Sequence, residues 1–164
     1  MNNQTNEEQL RIAKIDAARR YLDAVKTLKR KAEIAAMEYD ATVQNASGLR
    51  GIDYSRDSVT TSPTADAIHN SVMRYQEQLE ILKEQSAIAE EAVDECYSLI
   101  DRLENNDEAA ILRMNFLVNM TLRDIAFALC YGERTVYRKR SDALEHLYEI
   151  GLPVPYRLNR ETAL

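Results

Sequence analysis

The clearest pattern in the chain is a repeat of apolar and small residues between residues 64 and 104. Its members are spaced alternately four and three apart: Ile68, Val72, Tyr75, Leu79, Leu82, Ser86, Ala89, Val93, Cys96, Ile100 and Leu103. This spacing predicts a long helix that packs in a left-handed coiled coil. Ser62 and Pro63 predict the start of the helix, because serine caps helices and proline suits the first helical position.

A second long helix is predicted from about residue 6 to residue 45, a stretch without proline or glycine. Its apolar stripe consists of Tyr21, Val25, Leu28, Ala32, Ala35, Tyr39 and Val43. The polar segment 46–63 would form a loop, so residues 1–104 are expected to fold as an antiparallel helical hairpin. A hairpin buries only a narrow core, and its remaining apolar surface favours a homodimer formed through the coiled coil.

The two predicted helices differ in charge. The first carries a basic band made of Arg19, Arg20, Lys26, Lys29, Arg30 and Lys31. We interpret this band as a solvated or ion-paired face in preference to a second nucleic-acid contact. Residues 72–104 hold nine acidic and three basic residues. Complementary flanks would therefore help the two helices to pair.

Residues 105–150 predict a module of three shorter helices. Asn106 or Asp107 would cap a helix over residues 108–118, and Asn119 suits a left-handed turn. The next helix begins with Thr121 as N-cap and Asp124 three residues later, the spacing of a capping box.

The third helix of the module follows a break at residues 130–132, where Gly132 is the natural turn residue. Its inward residues are Val136, Ala143, Leu144 and Leu147. Two short helices joined by a tight turn, the second basic on its outer face, form the helix-turn-helix that enters a DNA major groove. Residues 151–164 are predicted to form a flexible tail. The fold class expected is all-α, with a long hairpin followed by this module.

The segment from residue 120 to residue 147 resembles region 4 of bacterial sigma factors. The matching residues are Thr121, Leu122, Ile125, Ala126, Leu129, Val136, Ala143, Leu144 and Leu147. Two positions depart from that pattern. Gly132 stands where the sigma family usually has a serine cap. Lys139 stands where an apolar residue is common, so its stem would have to run along the core.

Residues 51–147 resemble more closely a family of small phage and prophage transcriptional regulators of the ArpU and RinA types. In these proteins a coiled-coil hairpin precedes a helix-turn-helix similar to sigma region 4. The residues that carry the resemblance are Tyr54, Ser55, Val59, Thr61, Ser62, Pro63, Asp66, Phe116, Thr121, Leu122, Ile125, Ala126, Leu129, Tyr131, Arg134, Thr135, Val136, Tyr137 and Arg138. The resemblance implies a sequence-specific DNA-binding regulator that acts with host RNA polymerase.

Arginine chemistry suggests which side chains read the DNA. Arg134 and Arg138 are the best candidates, because a guanidinium binds the two acceptors of guanine in a bidentate manner. The other candidates would contact phosphates or support the readers. The full predicted DNA-binding set is Thr121, Arg123, Glu133, Arg134, Thr135, Tyr137, Arg138, Lys139, Arg140 and Ser141. Residues 133–140 have a net charge of +3 in a chain whose net charge is −6.

Two other function classes remain open. A small-terminase-type packaging protein also joins a helix-turn-helix to helical oligomerisation segments. A coiled-coil interaction protein could carry a helix-turn-helix that does not bind DNA. An enzyme is not expected, since no phosphate loop, metal-spaced set or catalytic grouping is recognisable, and no cofactor or metal is predicted.

Cysteine usage and the N-terminus bear on location. Cys96 and Cys130 are expected to be free thiols that serve as small packing residues. The N-terminus lacks the basic start and apolar core of a signal peptide, and no apolar run is long enough to span a membrane. We therefore expect a cytoplasmic protein of the bacterial host cell, located on the nucleoid when bound.

Overall fold

The structure is a computed structural model that describes residues 2–47 and 65–153. Three expectations fall wholly or mainly outside these ranges. The first is the loop at 46–63, of which only residues 46 and 47 are described, and both are helical. The second is the helix start at Ser62 and Pro63, and the third is the tail from residue 154 onward.

The described chain is all-α. Its elements are α1 (Asn2–Ser47), α2 (Ala65–Ile100), α3 (Asn106–Leu112), a π-helical segment (Arg113–Leu117), α4 (Leu122–Ala128) and α5 (Glu133–Gly151). Helices α1 and α2 form the long antiparallel hairpin, and the three shorter helices follow it. The predicted fold class is confirmed.

The chain divides into two compact units. One is built from residues up to Thr27 together with residues from Glu91 onward, and the other is Leu28–Glu90. The domain boundary predicted at residue 104 stays a prediction.

The first unit has a core to which α1, α2, α3, the π-helical segment and α5 all contribute. Its buried members are Ala17, Ala18, Tyr21, Leu22, Val25, Cys96, Leu99, Ile100, Leu103, Ala109, Leu112, Phe116, Leu117, Ala143, Leu144, Leu147 and Leu152. The second half of α5 is therefore packed in one core with the start of α1 and the end of α2. Cys96 is a packing residue, as expected, and burial raises the pKa of its thiol to about 12.

The second unit is the part of the hairpin made by α1 from Leu28 and α2 up to Glu90. The Tyr75 hydroxyl donates a 2.9 Å hydrogen bond to the carbonyl oxygen of Thr42, which fixes the antiparallel register there. Along the predicted seam Ala89 is buried and Leu82 is partly buried, whereas Val72 is 47% exposed. The seam is thus covered more thinly toward the start of α2.

Two local expectations about α3 were wrong. Its N-cap is Asn105, whose side chain accepts a 3.0 Å hydrogen bond from the backbone N–H of Asp107. The helix also does not continue regularly to Val118, because residues 113–117 form a π-helical turn. In a π turn, the residues four and five positions after a given residue both lie on its side of the helix. Phe116 and Leu117 are consecutive residues of this turn, and both are buried. Asn119 has a φ of 64°, which confirms the left-handed turn.

Candidate nucleic-acid interface

Helix α4 begins with the capping pair that the sequence predicts. Thr121 is the N-cap, and its hydroxyl oxygen accepts a 3.2 Å hydrogen bond from the backbone N–H of Asp124. The same hydroxyl donates to the Asp124 carboxylate at 2.6 Å. This cap satisfies one of the free N–H groups at the start of a short helix.

The turn between α4 and α5 is built differently from the prediction. The left-handed residue is Cys130, with a φ of 55°, and not Gly132. The N–H of Tyr131 donates to the Ala126 carbonyl at 2.9 Å, and the N–H of Cys130 donates to the Phe127 carbonyl at 3.3 Å. These two bonds form a Schellman motif, which requires the left-handed residue directly after the helix C-cap.

Gly132 serves instead as the N-cap of α5, with φ −69° and ψ 145° and no side-chain cap. Cys130 is exposed, so the expectation that it is a packing residue was wrong.

A compact apolar cluster joins α4 to the first half of α5. Ile111, Ile125, Ala126 and Val136 are buried in it. The partly buried residues packed around them are Met114, Met120, Leu122, Leu129 and Tyr131. Because Val136 points into this cluster, the residues on either side of it point away from it.

The outward face of α5 carries two exposed arginines one helical turn apart. Arg134 and Arg138 are exposed, and in the described part of the chain neither forms an ion pair or side-chain hydrogen bond. Tyr137 lies between them and is 56% exposed. Thr135 and Ser141 are partly buried, and the Ser141 hydroxyl donates to the Tyr137 carbonyl at 3.2 Å.

The outer face of α4 adjoins the start of α5. The Arg123 guanidinium lies 3.9 Å from the Glu133 carboxylate, and the two side chains are 87% and 59% exposed. A pair this exposed and this long contributes little to stability. Arg123 is thus available for another partner.

Lys139 is engaged with the protein. Its ammonium lies 2.9 Å from the Asp107 carboxylate and 5.1 Å from the centre of the Tyr131 ring. The Tyr131 hydroxyl donates to the same carboxylate at 2.5 Å. These bonds from Tyr131 and then Lys139 lower the pKa of Asp107, and the bond to Asp107 raises the pKa of Lys139. These contacts hold the Lys139 side chain against the protein.

Arg140 is also turned inward. Its Nε donates a 2.8 Å hydrogen bond to the Asn115 side-chain oxygen, and its guanidinium lies 5.1 Å from the centre of the Phe116 ring. Burial, followed by the charge of Arg19, lowers the pKa of Arg140. The predicted site residues therefore separate into an exposed set around Arg134 and Arg138 and an inward pair, Lys139 and Arg140.

A family model described as "Protein of unknown function (DUF1492)" matches residues 54–148. The chain belongs to this family. No curated protein and no solved structure matches the chain. None of the helices in residues 2–47 and 65–153 is both long and apolar enough to cross a membrane.

The part matched to DUF1492 contains every predicted DNA-binding residue. It does not contain Arg11 and Lys14, the two basic residues of α1 that pair with acidic residues near the end of α5. Arg11 on α1 pairs with Asp142 and Glu145, both at 2.7 Å, and Lys14 pairs with Glu149 at 2.8 Å. These pairs could not be predicted from the sequence, because they join residues more than 130 positions apart and leave no local pattern.

Phe127 was also missed. It lies on α4, four residues after Arg123 and therefore on the same face, and it is 89% exposed. The sequence pattern does predict this exposure. Leu122, Ile125 and Ala126 point inward, so residue 127 of the same helix points outward. The exposed face of α4 therefore includes Phe127 beside Arg123, although Phe127 was not among the predicted site residues.

Proposed function

We propose that the protein is a sequence-specific DNA-binding regulator of phage or prophage transcription and that α5 is its recognition helix. The observation that carries this proposal is the outer face of α5. Arg134 and Arg138 are exposed there without partners in the described ranges, on a helix whose opposite side is buried against α4. Two helices joined by a short turn with such a face suit the major groove.

The charge of α5 supports the same proposal. Residues 133–140 have a net charge of +3, although the whole chain has −6. Binding would therefore depend on a local patch, and few phosphates would be neutralised per chain. We expect modest non-specific affinity and a shallow dependence on salt.

The contacts of the ten predicted residues support their proposed roles to different degrees. Arg134 and Arg138 would read bases, with Thr135 and Tyr137 beside them and Glu133 and Ser141 at the margins. Arg123 and Thr121 would lie near the DNA backbone, since both are exposed at the start of α4. Lys139 and Arg140 would have to leave Asp107 and Asn115 to reach phosphates.

The resemblance to ArpU and RinA regulators and to sigma region 4 supports action beside host RNA polymerase. The chain resembles only the region-4 part of a sigma factor. We therefore propose that it does not start transcription alone. An in vitro assay in which it replaced the host sigma factor on core polymerase and gave promoter-specific transcripts would contradict this.

The test is binding to fragments of the surrounding genome at several salt concentrations. We expect one fragment to be retained at high salt by the wild type and lost by Arg134→Ala/Arg138→Ala. Each bidentate arginine–guanine contact contributes about 1–3 kcal/mol of discrimination, so the loss should be at least about fivefold per arginine. Arg20→Ala/Lys83→Ala removes the same charge from exposed positions on the hairpin and should bind as the wild type does.

Other outcomes would favour the alternatives. Weak binding to every fragment that disappears with salt would contradict sequence-specific regulation and favour a packaging protein of the small-terminase type. Absence of binding at any salt would refute the DNA proposal and favour a coiled-coil interaction protein.

A further inference from the structure

Helix α1 brings a second arginine to the side of α5 that carries Arg140. Ala18 and Leu22 of α1 are buried in one core with Ala143 of α5. Arg19 follows Ala18 directly, so it lies at the edge of this contact, about 100° around the helix from Ala18. Arg140 comes three residues before Ala143 and lies on the same side of α5. Both arginines therefore border the contact between the two helices.

The two arginines are close enough to act on each other. Burial lowers the pKa of Arg140, and the charge of Arg19 is the next cause that lowers it. The two residues lie far apart in the sequence, so only the fold brings them together. Like charges held together at a partly buried place reduce stability, and an anion between them would reverse this effect.

Arg140 has only neutral partners. Its Nε donates to the Asn115 side-chain oxygen at 2.8 Å, and its guanidinium lies 5.1 Å from the centre of the Phe116 ring. Within the described residues the guanidinium forms no ion pair, and its two Nη groups form no hydrogen bond. Burying a charge is costly unless the charge is paired. The two Nη groups are thus donors suited to an anion.

The acidic residues on this part of α1 do not supply that anion. Asp16 lies 3.5 Å from Arg19, but the two side chains are 51% and 44% exposed, so solvent weakens the pair. The charge of Asp23 opposes the lowering of the pKa of Arg140. Asp23 nevertheless forms no ion pair with Arg140 in the described part of the chain. Arg140 therefore has no direct counter-ion.

Tyr137 connects Arg140 to the face of α5 proposed to enter the groove. It lies one helical turn before Arg140, is 56% exposed and directly precedes Arg138. A helix in the major groove has the phosphates of the DNA backbone along both of its sides, and contacts to them fix its orientation. A backbone phosphate is thus the anion of the proposed complex that this side of α5 would meet.

We infer that Arg19 and Arg140 together bind one phosphate of the DNA backbone, beside the groove that receives α5. A phosphate that approaches from the α1 side reaches the Nη groups of Arg140 while Nε stays bonded to Asn115. The inference rests on the proposed function and deepens it. It adds to the DNA contact a residue of α1, which lies outside the part matched to DUF1492.

Arg20 provides a matched control. It is the next residue of α1, it is exposed, and it lies about 200° around the helix from the buried Ala18, so it points away from the core. Arg19→Gln and Arg20→Gln remove the same charge from adjacent exposed positions. Only Arg19→Gln should change the phosphate contact.

The first test is the salt dependence of binding to the specific fragment and to a duplex of unrelated sequence. Losing one phosphate contact should reduce the slope of log K against log salt by about 0.9. Arg19→Gln should show this reduction on both DNAs, because a phosphate contact carries no sequence information. Arg20→Gln should match the wild type. Equal slopes for Arg19→Gln and the wild type would overturn the inference, as would the same reduction in Arg20→Gln.

This design separates the inference from the proposed function. Specific binding by the wild type, with equal slopes for all three proteins, would support the regulator and overturn the phosphate site. Binding without sequence preference, with a lower slope for Arg19→Gln alone, would support the phosphate site and contradict the sequence-specific regulator.

The second test needs no DNA and uses inorganic phosphate as the probe. Thermal unfolding of the three proteins is followed in phosphate and in chloride at equal ionic strength. In chloride, Arg19→Gln should be at least as stable as Arg20→Gln, because it removes the repulsion of Arg140. Phosphate should raise the midpoint of the wild type and of Arg20→Gln more than that of Arg19→Gln. Equal shifts in the two variants, or a lower stability of Arg19→Gln in chloride, would overturn the inference.

Discussion

The two halves of α5 have different surroundings, although they form one uninterrupted helix. The first half presents Arg134 and Arg138 to solvent, and neither is paired within the described residues. The second half presents Asp142 and Glu145, and both are paired with Arg11 of α1 at 2.7 Å. Two arginines are thus unpaired on the outer face of the first half, whereas two acidic residues of the second half are neutralised.

This difference has a consequence for the proposed function. Unpaired carboxylates on the proposed recognition helix would repel DNA phosphates. Arg11 and Lys14 neutralise three of them while also connecting α1 to the helix. In the same part of the chain the α1 residues Ala18 and Leu22 share a core with Leu144 and Leu147 of α5. The second half of α5 therefore anchors the helix, and the first half is free to make contacts.

The largest expected effect is a difference in stability between two variants, each with one side chain truncated in one half of α5. Leu144 is fully buried, and Leu144→Ala should lower the free energy of unfolding by about 2–5 kcal/mol. Tyr137 is 56% exposed, so Tyr137→Ala should change stability by about 0.5 kcal/mol or less but weaken DNA binding. Urea unfolding and DNA titration of both variants check this. Similar destabilisation by the two would contradict the comparison.

A smaller effect should come from the contact between α5 and α3. His146 Nδ1 lies 2.7 Å from the Glu108 carboxylate, which is buried and also accepts a 3.0 Å hydrogen bond from Asn105. The bond to Glu108, opposed by burial and aided by the charges of Glu108, Glu149 and Asp142, raises the pKa of His146. The imidazole is about half exposed, so solvent weakens this contribution.

The direction of the pH effect follows from the raised pKa. The protonated imidazole is stabilised in the folded state, so its contribution is complete below the unfolded value of 6.5. It is lost as the pH rises through the raised folded value. Unfolding free energy should therefore fall across this range in the wild type and less in His146→Gln. Parallel pH profiles for the two proteins would show that the contact has no such role.

Local patterns predicted most of the fold and the frame of the site. The alternation of four and three residues gave α2 and its seam, and Thr121 with Asp124 gave the start of α4. The engagement of Lys139 with Asp107 and of Arg11 with Asp142 could not be read from the sequence. Such pairs depend on which helices pack together, and any acidic residue in the chain could have been the partner.

The α4–α5 turn was missed for a different reason. Glycine is the usual left-handed residue, so the rule placed the turn at Gly132. The hydrogen bonds of the Schellman motif fix the left-handed position at the residue after the C-cap, and that residue is Cys130. The sequence contained a glycine two positions later, where its freedom to adopt a positive φ is not used.

The smallest expected effect tests Gly132 as the cap of the first half of α5. A Cβ added there meets nothing within 4 Å, and φ of −69° suits any residue. Gly132→Ser supplies a cap oxygen and should raise the unfolding free energy by a few tenths of a kcal/mol. Gly132→Ala adds the same Cβ without the oxygen, and it should be less stable than the serine variant by about 1 kcal/mol. Urea unfolding of the two variants in parallel measures the difference. Equal stabilities would mean that the first turn of α5 is held by its packing through Val136 and not by its cap.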